Sequence, residues 1–260
     1  MHWDPELYDT YKELRSKPFF DLTNLIKFEH VKNVIDLGCG TGQQISILAQ
    51  QYEQIRFLGI DSSEEMLAKS KSFLRENLVF RLCPIERMLD DQEKWDVIVS
   101  NAALQWLENH DQLFPRLLNL LSENGQIAVQ MPVQQENILN QILADLADEA
   151  PYCFQLRHMQ QRSPVLSMDD YAKILFHHGM QNIHLSIKVY PMIANKTEDL
   201  FQFIAGTALR PYLNKLREED RPNFIKAYKL KINKHFGCYP AIYAFKRMLL
   251  YGCKTKPDVH

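Results

Sequence analysis

The residues with the most chemical content are an acidic side chain followed by three alternating glycines, Asp36-Leu37-Gly38-Cys39-Gly40-Thr41-Gly42, after the apolar pair Val34-Ile35. Glycines at this spacing let the backbone turn tightly and approach a ligand, and the carboxyl end of a first parallel strand is where doubly wound sheets bind nucleotides. A dinucleotide fold spaces them G-x-G-x-x-G, which places a pyrophosphate at a helix N-terminus. Here the spacing is G-x-G-x-G. A carboxylate at Asp36 would repel a pyrophosphate and suits a cationic amino-acid moiety instead. Further on, Gly59-Ile60-Asp61-Ser62-Ser63 stands at the end of a second predicted strand. Asp61 can accept hydrogen bonds from both ribose hydroxyls of a nucleoside, and Asp61-Ser62-Ser63 equally suits the cap of a following helix.

These motifs need a frame. Short apolar runs at Val34 to Leu37, Phe57 to Ile60, Leu78 to Leu82, Val97 to Val99 and Ile127 to Met131 have the character of strands. Between them, Gln43 to Tyr52, Ser63 to Leu74 and Asp111 to Leu121 carry apolar residues at helical spacing. Such alternation is the βαβ signature of a parallel sheet. Gly125 is placed as a turn into the fifth strand. A helix over Met168 to His178 ends near Gly179, and strands over Asn182 to Tyr190 and Arg247 to Tyr251 bring the predicted total to seven. Between these last two lie Pro191, Pro211, Pro222 and helical patterns at Glu198 to Ala205 and Arg221 to His235, more than a hairpin loop requires.

The predicted fold class is therefore α/β, a doubly wound, seven-stranded, mostly parallel Rossmann-like sheet with a helical cap inserted before the last strand. The division that follows is an N-terminal helical cap segment over 1–30, with helical patterns from Pro5 to Lys27 broken by Pro18, and a nucleotide-binding core over 31–190. A cap insertion over 191–242 and the final strand and tail over 243–260 complete it.

Composition narrows the partners. A chain of 260 residues, 46% apolar and 24% charged, can bury a sizeable core and is neither disordered nor fibrous. A formal net charge of -2 leaves no global excess of cations for a phosphate backbone, so nucleic acid is not the expected partner. Met1-His2-Trp3-Asp4 lacks a basic segment before an apolar core, and no run approaches a membrane span, so a cytoplasmic, membrane-free protein is expected. Five widely spaced cysteines, without a C-x-x-C pair, read as reduced thiols. The adjacent His177 and His178 point apart on a helix, and no metal site is expected.

Together, Asp36-Leu37-Gly38-Cys39-Gly40-Thr41-Gly42 and Gly59-Ile60-Asp61-Ser62-Ser63 resemble the class I S-adenosylmethionine-dependent methyltransferases. Within them the chain is similar to the trans-aconitate methyltransferase family. That likeness rests on Trp3-Asp4-Pro5, Tyr8, Arg15-Ser16-Lys17-Pro18, Asn101-Ala102-Ala103-Leu104-Gln105-Trp106-Leu107, Gln130-Met131-Pro132 and Leu209-Arg210-Pro211-Tyr212-Leu213. The resemblance implies methyl transfer from S-adenosylmethionine to a carboxylate oxygen of a small polycarboxylic acid. It implies that Asp36, Gly38 and Gly40 hold the methionine part, with Gly42 also in the cofactor site, that Asp61 holds the ribose and Ser62 to Met66 surround the adenosine, and that Asn101 and Ala102 line the pocket beneath the sulfonium. Where the family commonly places an acidic residue on the adenine amino group this chain has Pro84, so the contact passes to Glu86 or to the backbone of Ile85.

The chemistry fits independently. A substrate carboxylate with a pKa of about 4 is already ionised at neutral pH, so displacement at the methyl group needs alignment and exclusion of water rather than a base. No catalytic acid or base is assigned. Such a substrate needs fixed cations, and Arg210 is the first candidate, Arg15 the second, because a guanidinium binds a carboxylate bidentately. Trp3, Tyr8, Gln105, Trp106 and Tyr212 are candidate walls and polar anchors. His110 is a possible base of the kind phenolic acceptors need, but Glu108-Asn109-His110-Asp111 reads better as a helix entry capped by Asn109 or Asp111. Ala102-Ala103 follows Asn101 in place of the Pro-Pro-aromatic motif of amino-methylating enzymes. The alternatives are another small acceptor, such as a carrier-linked malonyl, fatty or terpenoid acid, or a silent cofactor-binding module. Oligomeric state is left open.

Overall fold

A computed structural model of the chain describes residues 16–156 and 164–254. Seven strands form one sheet in the order β3-β2-β1-β4-β5-β7-β6. They are β1 (Asn33–Leu37), β2 (Arg56–Asp61), β3 (Leu78–Leu82), β4 (Trp95–Asn101), β5 (Leu121–Pro132), β6 (Met180–Ala194) and β7 (Ala241–Lys254). β1 pairs in parallel with both β2 and β4, β2 with β3, and β4 with β5. The contacts of Gln126 with Tyr251 and of Asn124 with Cys253 advance along β5 while they retreat along β7, so those two strands run antiparallel. The order reverses between β1 and β4, and there the chain leaves the sheet in opposite directions and opens a crevice at the strands' carboxyl ends.

Residues 16–132, 164–187 and 248–254 make one compact unit; residues 133–156 and 188–247 make another, and β6 and β7 run through the division. In the first, helical residues 16–23 (α1) and α2 (Gln43–Gln51) cover one face of the sheet. Phe19, Leu22 and Ile26 join Val34, Ile45, Leu48, Phe57, Val97, Ala128 and Leu249 in a single core cluster. In the described part of the 1–30 segment Phe19, Leu22 and Ile26 are thus buried in the core, with Phe20, Leu25 and Phe28 partly buried against it. Pro18 lies within the helical residues and does not end the helix. The remaining helices of this unit are α3 (Glu64–Ser70), the single turn α4 (Ile85–Met88), α5 (His110–Asn119) and α8 (Met168–His177).

The second unit carries α6 (Ile138–Ala147), α7 (Cys153–Leu156), α9 (Thr197–Ala205), α10 (Arg210–Lys215) and α11 (Arg221–Phe236). The sequence division placed 133–156 inside the core. The structure packs them with the inserted helices instead: Tyr228 Oη donates to the Leu139 carbonyl at 2.9 Å, Gln155 Nε2 to Asp220 at 2.8 Å, and Lys231 pairs with Glu149 at 2.6 Å. Gly125 lies not before the fifth strand but inside a bulge at its start, where the register passes from Trp95↔Leu121 to Val97↔Gln126. A Cβ there would stand 2.9 Å from the Trp95 and Ser122 carbonyls, so only glycine fits.

One buried carboxamide ties this first unit together. Gln126 Oε1 accepts from the Lys27 amide at 2.9 Å and from Tyr251 Oη at 2.8 Å, while its Nε2 donates to the Lys27 carbonyl at 2.7 Å. Gln126→Leu removes three hydrogen bonds and leaves the buried Tyr251 hydroxyl without its acceptor, at about 1–3 kcal/mol, so urea denaturation should register a loss of stability. Tyr251→Phe should then cost less in the Gln126→Leu background than alone, because the shared partner is already gone.

Candidate functional site

The carboxyl ends of β1, β2 and β4 frame a cavity of about 720 Å³. After Leu37 the chain turns at once: the Gly38 and Cys39 amides both donate to the Ile60 carbonyl at 2.9 Å, and Gly38, Gly40 and Gly42 take φ of 75°, 57° and 73°. Such left-handed conformations cost any other L-residue about 1–2 kcal/mol. Space separates the three. A Cβ on Gly38 would lie 2.3 Å from Ala103 Cβ and one on Gly42 2.4 Å from the Phe80 ring, whereas one on Gly40 would meet nothing within 4 Å. Gly38 and Gly42 are therefore glycine for packing, and Gly40 is the position whose open side faces the cavity. Gly42 is buried as the N-cap of α2 and does not line it.

Asp61 fastens the turn. Its Oδ2 accepts the Gly40 amide at 2.9 Å and its Oδ1 the Ser63 amide at 2.8 Å, and Ser63 caps α3 by accepting from the Met66 amide at 3.3 Å. Each carboxylate oxygen keeps lone-pair capacity toward the cavity that Asp61 lines. Ser62, Met66, Pro84, Ile85 and Glu86 form one side of that lining; Asn101, Ala102, Ala103, Trp106 and Leu107 form the other. Pro84 caps α4 without a side-chain bond, so it brings the first-turn amides of Ile85 and Glu86 to the cavity wall. Asn101 Nδ2 donates to Gln44 Oε1 at 2.9 Å, and its buried Oδ1 has no partner among the described residues. Ala102 holds a φ of 56° with its amide on the Gln130 carbonyl at 2.9 Å.

The structure places the remaining candidates variously. Asp36 is 4% exposed and does not line the cavity. Burial, and after it the nearby Asp61 charge, raises its pKa to about 7. Gln105 is buried, with Nε2 on the Ala102 carbonyl at 2.6 Å and Oε1 unpartnered among the described residues, whereas Trp106 is 54% exposed at the cavity's edge. Arg210 is exposed at the first turn of α10, and Tyr212 is half-buried against Phe224; both belong to the second unit. Trp3, Tyr8 and Arg15 lie outside the described residues.

His110 is no base at a cavity. It is 1% exposed, its Nδ1 meets Tyr171 Oη, its Nε2 meets the Leu104 carbonyl at 2.9 Å, and burial lowers its pKa. Asn109 is the N-cap of α5 but makes no side-chain capping bond. Sequence reasoning missed Ser16, Thr41, Gln43, Gln44 and Leu107, all of which line the cavity. The signal for Gln43 and Gln44 was their place in the first turn after the glycines; that for Ser16 was its place in the Arg15-Ser16-Lys17-Pro18 motif, from which only the arginine was taken as a candidate. Cys39 also lines it, and burial together with Asp36 and Asp61 pushes its thiol far up, so it is no nucleophile. Among the described residues no group of His, Cys, Asp and Glu is arranged to hold a metal, and no helix is long and apolar enough to cross a membrane.

Comparison with known proteins gives this geometry a context. Residues 29–195 match a family model described as a methyltransferase domain. The chain is 37% identical to the trans-aconitate 2-methyltransferase of Deinococcus radiodurans, with 100% of each chain covered. It is 30% identical to that of Escherichia coli O1:K1 / APEC, covering 98% of this chain and 99% of the relative. Among solved structures, phosphoethanolamine N-methyltransferase 2 of Haemonchus contortus in complex with S-adenosyl-L-methionine superposes with a TM-score of 0.56 at 14% identity, over 92% of this chain and 52% of that one. The YcgJ protein of Bacillus subtilis does so with a TM-score of 0.57 at 16% identity, over 92% and 100%. These two likenesses are of fold.

The raised pKa of Asp36 makes ligand binding depend on pH. Without ligand the folded state holds this proton more tightly than the unfolded chain, so the associated stability is full below the ordinary value of 3.8 and is lost as pH rises through about 7. A cationic ligand lowers the pKa and expels the proton. Calorimetric affinity for S-adenosylmethionine should therefore rise between about pH 5.5 and 7, by at most about tenfold per unit, and level off above. Asp36→Asn should abolish the slope; a slope that persists would remove Asp36 as its source.

Proposed function

The chain belongs to the class I S-adenosylmethionine-dependent methyltransferase family, and from that premise we propose that it esterifies a carboxylate of a small polycarboxylic acid, trans-aconitate before others. The cofactor is S-adenosyl-L-methionine, which supplies a methyl group already activated on a sulfonium. The observation that carries the acceptor reading is the full-length likeness to relatives named trans-aconitate 2-methyltransferase. The cavity agrees with it. Its described lining holds no histidine, lysine or tyrosine, its carboxylates Asp61 and Glu86 are assigned to the cofactor, and an ionised carboxylate nucleophile needs no base.

The residues fit the cofactor. Asp61 has acceptor capacity left for a ribose diol, Gly40 leaves open space where a side chain would stand, and the Asn101 oxygen awaits a donor. In this reading Asp36, buried beneath the glycine turn, offers the cationic methionine part its field, with Gly38, Gly40 and Gly42 shaping the cradle. Ser62 and Met66 flank the adenosine, and Ile85 and Glu86 take up the adenine contact that Pro84 lacks the acid to make. Asn101 and Ala102 lie toward the reacting methyl. Gln105 and Trp106 wall the acceptor, while Arg210, Arg15, Trp3, Tyr8 and Tyr212 are assigned to its carboxylates and its apolar frame.

The chain's own contribution is alignment and exclusion of water, effects worth about 7–11 kcal/mol when orientation is good. A carrier-linked malonyl, fatty or terpenoid acid is not favoured by the relatives, nor is a silent module.

Labelled S-adenosylmethionine with a panel of organic acids should yield a base-labile methyl ester on trans-aconitate, and at saturating cofactor the rate should be roughly flat from about pH 6.5 to 8. Transfer only to monocarboxylic acids would overturn the acceptor assignment. Asp61→Ala should weaken cofactor binding by about 1.5–3 kcal/mol, the increment of hydrogen bonds to a charged group. Arg210→Lys keeps the charge but loses the bidentate fork, so it should cost much of what Arg210→Ala costs, in acceptor kinetics and not in cofactor affinity. An unchanged acceptor KM in both variants would remove Arg210 from the site.

A further inference from the structure

The short turn Leu104–Trp106 looks two ways. Ala103, Trp106 and Leu107 line the cavity, while Leu104 is fully buried and its carbonyl meets His110 Nε2 at 2.9 Å. A carbonyl only accepts, so Nε2 carries the hydrogen and Nδ1 is left as an acceptor. Tyr171, 0% exposed in α8, donates its hydroxyl hydrogen to that Nδ1, and its oxygen in turn accepts the Leu166 amide at 3.2 Å. The chain of donors therefore runs one way, from Leu166 through Tyr171 and His110 to the Leu104 carbonyl. Phe114 packs on both rings, at centroid distances of 5.6 Å from His110 and 4.7 Å from Tyr171, and leaves them no room to turn. Burial lowers the His110 pKa, which favours the neutral ring that this arrangement requires.

We propose that His110 is a positioning residue for methyl transfer: through the Leu104 carbonyl it fixes the turn that forms the acceptor side of the cavity, against α8 and the segment before it. The assignment of that side to the acceptor rests on the function proposed above. The turn's other ties are local to the cavity wall, among them the Leu107 amide on the same Leu104 carbonyl at 2.9 Å, whereas His110 joins that carbonyl to Tyr171 of α8. Ala103 Cβ occupies the place where a Gly38 Cβ would fall, and Gln105 Nε2 is bound to the Ala102 carbonyl. The cofactor side is held separately, by Asp61 on the Gly40 and Ser63 amides. Loosening the turn should thus move Trp106 and Gln105 and leave the ribose-binding carboxylate where it is.

Two substitutions separate positioning from bulk stability. His110→Gln places an amide nitrogen near Nε2 and keeps the bond to Leu104 while abandoning Tyr171; His110→Asn reaches only the Nδ1 position and keeps Tyr171 while releasing the turn. Each removes one of the two His110 hydrogen bonds, while the Leu104 carbonyl keeps the Leu107 amide and the Tyr171 oxygen keeps the Leu166 amide, so both should lower Tm by similar amounts. His110→Asn should lower kcat/KM for trans-aconitate by about tenfold or more with S-adenosylhomocysteine affinity within about twofold, and His110→Gln should recover to within about threefold of the parent. Fluorine NMR of fluorotryptophan-labelled protein reads the same displacement without an acceptor. Of the three tryptophans, Trp106 should shift or broaden in the Asn variant alone, while Trp95 stays put. Equal losses in the two variants, or an unmoved Trp106 signal in His110→Asn, would make His110 an ordinary core residue. If the parent fails to methylate trans-aconitate, the acceptor reading falls, and the fluorine signals still decide the positioning.

Discussion

The cavity depends on a single carboxylate that joins two chain turns. Asp61, at the end of β2, receives the Gly40 amide from the loop after β1 and the Ser63 amide from the start of α3. The Gly38 and Cys39 amides are held by the Ile60 carbonyl, and Asp61 adds the tie at Gly40, the glycine whose open side has no packing neighbour. Because Asp61 is engaged through backbone donors rather than a cationic side chain, its charge remains available to a ligand. The same atoms thus order the loop and present an acceptor to the ligand.

Charge shapes the rest of the site. Asp36 is buried behind the turn with Asp61 nearby, and neither has a lysine or arginine in the described lining to neutralise it. Burial, and after it the Asp61 charge, raises the Asp36 pKa toward neutrality, an arrangement that a nearby cation would relieve. A sulfonium and an ammonium on one molecule suit such a field, whereas a pyrophosphate would not. The histidine nearest the cavity in sequence is withdrawn into the core and acts on the position of the cavity wall.

The sheet was legible because its strands are short apolar runs broken by turn residues. β3 was placed at its observed bounds, and β1, β2, β4 and β5 were each recognised within a longer strand. What was misread are elements whose local signal is shared with another solution. Gly125 has the look of a helix stop, yet it serves a bulge inside β5. The helical residues around Phe19 and Leu22 have the amphipathic character of a lid, yet their apolar face packs against the sheet. α6 and α10 were not anticipated, and α6 depends on α11 through contacts nearly ninety residues away in sequence, such as Tyr228 on the Leu139 carbonyl at a separation of 89.

The sequence by itself determined the glycine turn, the acid that follows it and their order along parallel strands, because positive φ and close backbone approach restrict residue type locally. The kind of cofactor followed from the resemblance that these motifs carry to the class I methyltransferases. Tertiary structure alone decided that Asp36 lies beneath the cavity rather than on it, that Ser16 and Gln44 reach the lining, and that His110 faces Tyr171 and Leu104 instead of the acceptor. Burial, pKa and hydrogen-bond partners belong to the surroundings of a residue, and those surroundings come from segments distant in sequence whose approach no local pattern encodes.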